Sequence, residues 1–78
     1  MDLASQFGQA VRRHRELLRL SQEALADRAG IDRTYISGVE RGIRNPTLSV
    51  MQRIAVALGS DLDVIFATAR ELSVRQEK

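Results

Sequence analysis

Seventy-eight residues without a cysteine leave room for one compact domain and exclude disulfides, thiolate metal sites and thiol nucleophiles. Hydrophobic residues make up 44% of the chain, yet no apolar run approaches the length of a membrane span, and Met1 to Arg15 lacks the hydrophobic block of a secretion signal. The net charge is only +2, carried by eleven arginines and one lysine, Lys78, against ten acids.

Arginine is the side chain suited to phosphates and guanine edges, so the kind of charge says more than its sum. The surplus lies within residues 1–46, which hold eight arginines and six acids. Absence of cysteine suits a reducing compartment and makes a cytoplasmic location the expectation. A core this small also favours added burial by self-association.

Leu3, Phe7, Val11 and Leu18 recur at helical steps and predict a first helix over about 4–19. Ser21 caps a short second helix over 22–29, with Leu25, Ala26 and Ala29 on its apolar face and Gly30 as its stop. Asp32 caps a third over 33–41, in which Ile36 and Val39 are apolar and Gly42 ends the run before Arg44-Asn45-Pro46. Thr47 opens a fourth over 48–58, where Leu48, Met51, Ile54, Ala55 and Leu58 recur until Gly59. Ser60 or Asp61 starts a fifth carrying Leu62, Ile65 and Phe66 to about residue 70. Residues 71–78 read as a short polar tail that frays. The expectation is an all-α, five-helix domain over 1–70.

From Gln22 to Arg41, Leu25, Ala29, Ile31, Ile36 and Val39 surround a small Ala26, with Gly30 between the two helical segments. Two short helices joined by a tight turn cross steeply, so side chains must be small where the axes approach, and Ala26 supplies that point. Gly30 turns the backbone without a Cβ clash. Each residue alone suits any small helical core; their joint spacing predicts a helix-turn-helix over 22–41.

At about 100° per residue, Ile36, Val39 and Glu40 share one side of the third helix, and Arg33, Thr34, Ser37 and Arg41 the other. A recognition helix presents such polar groups to base edges in the major groove, and Gly38 on that side leaves room for close approach. Arg33 can give a bidentate pair to guanine O6 and N7, a contact that carries about 1–3 kcal/mol of discrimination. Thr34 and Ser37 can bond bases or phosphates, and the Thr34 methyl can meet thymine. Gln22 reads as a phosphate clamp at the open N–H groups of the second helix. Arg41, Arg44 and Asn45 are positioned for a backbone strand or a flanking groove. Tyr35, on the flank of the third helix, either meets the sugar-phosphate edge or covers the helix pair.

Glu40 faces inward and needs a cation, which Arg15 of the first helix can supply as an Arg15–Glu40 ion pair. His14, the only histidine, reads as a helix-surface residue, since nothing near it in sequence builds a metal site or a dyad. Asp61 and Asp63 are explained by capping and the helix dipole. No enzyme chemistry and no cofactor are indicated.

The strings Leu20-Ser21-Gln22-Glu23, Leu25-Ala26, Ala29-Gly30, Asp32-Arg33-Thr34-Tyr35-Ile36-Ser37 and Glu40-Arg41-Gly42 resemble the lambda-repressor/Cro-like, or Xre, family over about residues 7–66. Within it, Asp32 to Gly38, then Glu40-Arg41-Gly42 and Arg44-Asn45, look like the controller proteins of restriction–modification systems. The resemblance implies DNA contacts at Gln22, Arg33, Thr34, Tyr35, Ser37 and Arg44, and the same Arg15–Glu40 pair. It also implies a homodimer through the last two helices, which maps to Met51, Leu62, Ile65 and Phe66, positions that intramolecular core would explain equally well. The reading is a transcriptional regulator dimerised on a two-fold symmetric operator in double-stranded DNA, with contact to RNA polymerase where operator placement allows it. The competing expectation is a protein-binding module such as an antitoxin on the same fold, for which residues 71–78 offer little apolar area.

Overall fold

In the computed structural model, which describes residues 2–76, the helices are α1 (Leu3–Leu17), α2 (Gln22–Ala29), α3 (Arg33–Glu40), α4 (Leu48–Ala57) and α5 (Leu62–Gln76). The class and helix count agree with the sequence reading, and no strand occurs among the described residues. Four helices start on the same chemistry. The side-chain oxygens of Asp2, Ser21, Asp32 and Thr47 accept from the backbone N–H of Ser5, Ala24, Thr34 and Val50 at 2.8, 3.0, 2.9 and 3.2 Å. Each satisfies a donor that has no partner within its helix.

The ends of α1 to α4 also share one device, a Schellman closure. The six-to-one bonds run from Leu20 N–H to Arg15 O, Ile31 to Ala26, Ile43 to Gly38 and Ser60 to Ala55, each at 3.0 Å. The motif needs one left-handed residue, which is Gly30, Gly42 or Gly59 in three cases and Arg19, at φ 57°, in the fourth. Arg19 therefore ends α1 two residues before the limit expected from its apolar spacing. A side chain at positive φ costs about 1–2 kcal/mol, which glycine avoids while losing some chain entropy. Arg19→Gly is expected to raise stability by roughly 0.5–1 kcal/mol, read as a higher urea midpoint at constant m. A lower midpoint would remove the strain assignment.

The core is made by Phe7 and Val11 of α1, Leu25 of α2, Ile36 and Val39 of α3, Ile54 of α4 and Ile65 of α5, all almost fully buried. Burying each such side chain contributes about 1.5–3 kcal/mol. Helix α1 spans the molecule, packed on α5 along one side and on α3 along another, while α2 and α4 close around α3 and α5. Leu3 and Leu18, read from spacing as members of the α1 apolar face, are exposed; Ala10 and Gly8 take the inner positions.

Two further expectations are corrected. Helix α5 continues past residue 70 to Gln76, and its added turn brings half-buried Leu72 to line a cavity with Leu17 and His14 of α1; Glu77 and Lys78 lie outside the described residues. His14 is half-buried instead of lying on the free surface. The Thr68 hydroxyl donates to Val64 O at 3.2 Å, so its oxygen accepts from His14 Nε2 at 2.8 Å, tying α1 to α5. Burial, and then the charge of Arg13, hold the imidazole below its ordinary pKa.

Candidate nucleic-acid interface

Helix α3 divides as amphipathic spacing requires. Ile36 and Val39 have no exposed surface, whereas Arg33, Thr34 and Arg41 are exposed and Ser37 is half-exposed on the outer stripe. Among the described residues the Arg33 guanidinium makes no hydrogen bond or salt bridge, and its charge acts on the neighbouring Asp32 carboxyl. Thr34 is less free, because its hydroxyl donates to Asp32 Oδ1 at 2.8 Å beside the backbone N–H bond to the same oxygen. These two bonds, the hydroxyl first, hold the Asp32 carboxyl below the usual carboxylate range. What Thr34 presents outward is therefore an acceptor lone pair and a methyl group.

The inner side of α3 is held by charge. Arg15 donates from Nε to Glu40 Oε2 at 2.6 Å and from Nη2 to Oε1 at 2.9 Å, a side-on bidentate pair, while Nη1 reaches Leu20 O at 2.8 Å. The side chains are 12% and 3% exposed, so water screens the pair little. Hydrogen bonding to Glu40 raises the Arg15 pKa against the burial that opposes it. Gln22 completes the cluster, donating from Nε2 to Glu40 Oε1 at 3.0 Å. One N–H of the amide is thereby held by Glu40, and the second N–H of this half-buried side chain lies beside the unpaired backbone N–H groups of the first turn of α2.

Tyr35 is half-buried, with its ring packed against the core, and the Arg44 guanidinium carbon lies 5.4 Å above the ring centroid. Gly38, read from sequence as open to close approach, is covered by the Arg44 side chain. Asn45 and Arg41 are exposed, and Asn45 also lines an apolar cleft with Leu3, Ala4, Phe7, Pro46, Met51 and Phe66. Spacing arguments missed Arg53. From α4 it donates to the carbonyls of Ala29 at 3.2 Å and Gly30 at 2.7 Å, fixing the turn between α2 and α3. A lone arginine on the polar face of a helix carries no sequence signal for a contact 23 residues away.

Of the residues assigned to a dimer contact, Ile65 is removed: it has no exposed surface and belongs to the monomer core. Met51, Leu62 and Phe66 are half-buried, and Phe66 packs on Phe7 with ring centroids 5.5 Å apart at 42°. No described helix is long and apolar enough to cross a membrane, and the described residues contain no cluster of three or more His, Asp or Glu suited to a metal ion.

Comparison with known proteins gives a consistent picture. The family model described as helix-turn-helix matches residues 11–65. The control protein C.SmaI of Serratia marcescens is 44% identical over 62 residues, 80% of this chain and 74% of that protein. An uncharacterised HTH-type transcriptional regulator of Mycobacterium tuberculosis is 40% identical over 62 residues, but the chain spans only 44% of its length. Among solved structures, the restriction-modification controller protein C.Esp1396I, as a tetramer in complex with its natural 35-base-pair operator, superposes with a TM-score of 0.84 at 32% identity, covering 91% of this chain and 93% of that one.

Proposed function

The chain belongs to the helix-turn-helix family, and on that premise we propose that it is a transcriptional regulator that reads double-stranded DNA with α3 and acts as a homodimer on a two-fold symmetric operator. The carrying observation is the orientation of α3. Ile36 and Val39 are sealed inward and Glu40 is locked to Arg15, so Arg33, Thr34, Ser37 and Arg41 are held on one outward edge. Arg33 reads a guanine edge, Ser37 and the acceptor and methyl of Thr34 read neighbouring bases, and Arg41, Arg44 and Asn45 engage the flanks. Gln22 holds Glu40 with one amide N–H and clamps a phosphate with the other, and Tyr35 acts by carrying Arg44.

Two-fold symmetry places the recognition helices of a dimer about 34 Å apart, one per successive major groove. The half-buried Met51, Leu62 and Phe66, with exposed Leu3 lining one cleft with Met51 and Phe66, form the contact patch of this proposal. Likeness to a controller protein solved as a tetramer on its operator supports both the DNA and the oligomer, and likeness to a control protein supports regulation of the same kind. Regulation by occupancy needs no catalytic group. It blocks RNA polymerase where the operator overlaps the promoter and contacts it where the operator lies upstream. In a cell without a nucleus the work is cytoplasmic.

The test is to enrich a duplex from a random library with the wild-type chain and measure affinity for it and for a scrambled duplex across a salt series. Affinity should fall steeply with salt, and the specific complex should contain two chains. Arg33→Ala should lower the preference for the enriched duplex by about 1–3 kcal/mol with little loss on scrambled DNA. Equal losses on both would take Arg33 out of base reading, and no binding at low salt would end the regulator reading.

A further inference from the structure

We propose that Gly38 is a specificity-determining position that acts through Arg44, by leaving open the seat that lays this loop arginine along the recognition helix. The proposal rests on the duplex-reading role of α3 given above. Gly38 lies in mid-helix, and it is not among the glycines at positive φ, so the backbone does not require glycine there. A helix interior is less stable with glycine than with alanine, which makes its presence unexplained by local structure.

What the missing side chain admits is Arg44. A Cβ at residue 38 would lie 2.7 Å from Arg44 Cγ, with Nε at 3.5 Å and Cδ at 3.6 Å, and those are the three nearest atoms it would meet. One helical turn earlier, the guanidinium sits above Tyr35. The methylenes of Arg44 thus cross Gly38 and the charge is delivered back along α3, on the same helix as Arg33. Among the described residues Arg44 pairs with no carboxylate, and a guanidinium held over a ring keeps its N–H donors for a planar pair of acceptors. A loop arginine at an exposed position would otherwise sample many rotamers; the seat limits that freedom before DNA arrives. Guanine O6 and N7 and a phosphate both offer such acceptors. The seat favours the base edge, because it holds the group against the reading helix and away from the loop that carries it.

The experiment compares wild type, Gly38→Ala, Arg44→Ala and the double variant on the enriched and scrambled duplexes across a salt series, with thermal unfolding alongside. Gly38→Ala should unfold within a few degrees of the wild type, because the three atoms nearest the new Cβ all belong to the Arg44 side chain, which must swing aside from its root at Cγ, and the gain in helix propensity offsets that shift. Its preference for the enriched duplex should nevertheless fall about tenfold, within the roughly 5- to 150-fold span of one bidentate base contact. Arg44→Ala should lose as much, and the double variant no more than either, since both changes remove one contact. An unchanged preference in Gly38→Ala, or losses that add in the double variant, would overturn the proposal. So would equal weakening on both duplexes with a salt slope smaller by about one, the mark of a phosphate contact. If the wild type enriches no duplex, the DNA reading falls and this inference with it; if it does, these outcomes judge the seat alone.

Discussion

Replacing Gly8 by alanine should lower the thermal midpoint by roughly 12–24 °C, the effect of about 3 kcal/mol on a domain of this size. Helix α1 crosses α3 at Gly8, and a Cβ there would lie 2.0 Å from the Val39 carbonyl oxygen and 3.0 Å from that of Glu40. Both are backbone atoms in a helix whose inner side chains, Ile36 and Val39, have no exposed surface, so relief requires moving α3 as a body. Overpacked sites with movable neighbours cost about 1–3 kcal/mol, and a rigid backbone neighbour puts this one at or above the top of that range. The helix propensity of alanine returns only about 1 kcal/mol. Gly38→Ala is the control, being the same exchange in a neighbouring helix against a side chain that can move. Calorimetry of the two variants should separate them widely; a Gly8→Ala midpoint within a few degrees of wild type would mean that the helices do not meet at this point in solution. Where the variant still folds, its displaced α3 should discriminate poorly between duplexes.

Glu40→Ala should cost about 3–5 kcal/mol, the penalty for leaving one member of a buried ion pair alone. The remaining Arg15 guanidinium would keep only the Leu20 carbonyl as acceptor, while the Gln22 amide would lose its partner as well. Against a total stability of about 4–12 kcal/mol for a chain of 78 residues, that loss brings the domain near the edge of folding. Chemical unfolding with an unchanged m-value measures it. The double variant Arg15→Met/Glu40→Leu should recover most of the loss, because an apolar pair removes both the unpaired charge and the desolvation cost. Recovery of stability without recovery of duplex preference would place the value of the cluster in aiming α3. A Glu40→Ala variant as stable as wild type would show that the pair is not closed in solution. High salt should change little, as the two side chains are sealed from ions.

Much of the candidate site was legible because it depends on neighbours in the chain. Caps at Ser21, Asp32 and Thr47 work within three residues, and the inward Ile36 and Val39 against outward Arg33 and Thr34 follow from helical period alone. The Arg15–Glu40 contact was also within reach, since an inward carboxylate demands a cation and α1 has one on its inner side. Other features were not legible for a common reason. The end of α1 at Arg19 breaks the rule that glycine marks such stops, and the continuation of α5 brings Leu72 to a cavity it shares with α1, a meeting of residues far apart in the chain.

The order of the five helices, their starts and the polar edge of α3 were determined by local sequence, because capping, turn chemistry and amphipathic period act over a few residues. Tertiary structure alone decided that Gly8 is a helix crossing, that Gln22 bonds Glu40, that Arg53 holds the α2–α3 turn, that Ile65 is core and that Arg44 lies across Gly38. Each of these is a contact between residues chosen by packing in three dimensions, and spacing along the chain says which face a side chain occupies but not which partner it meets there.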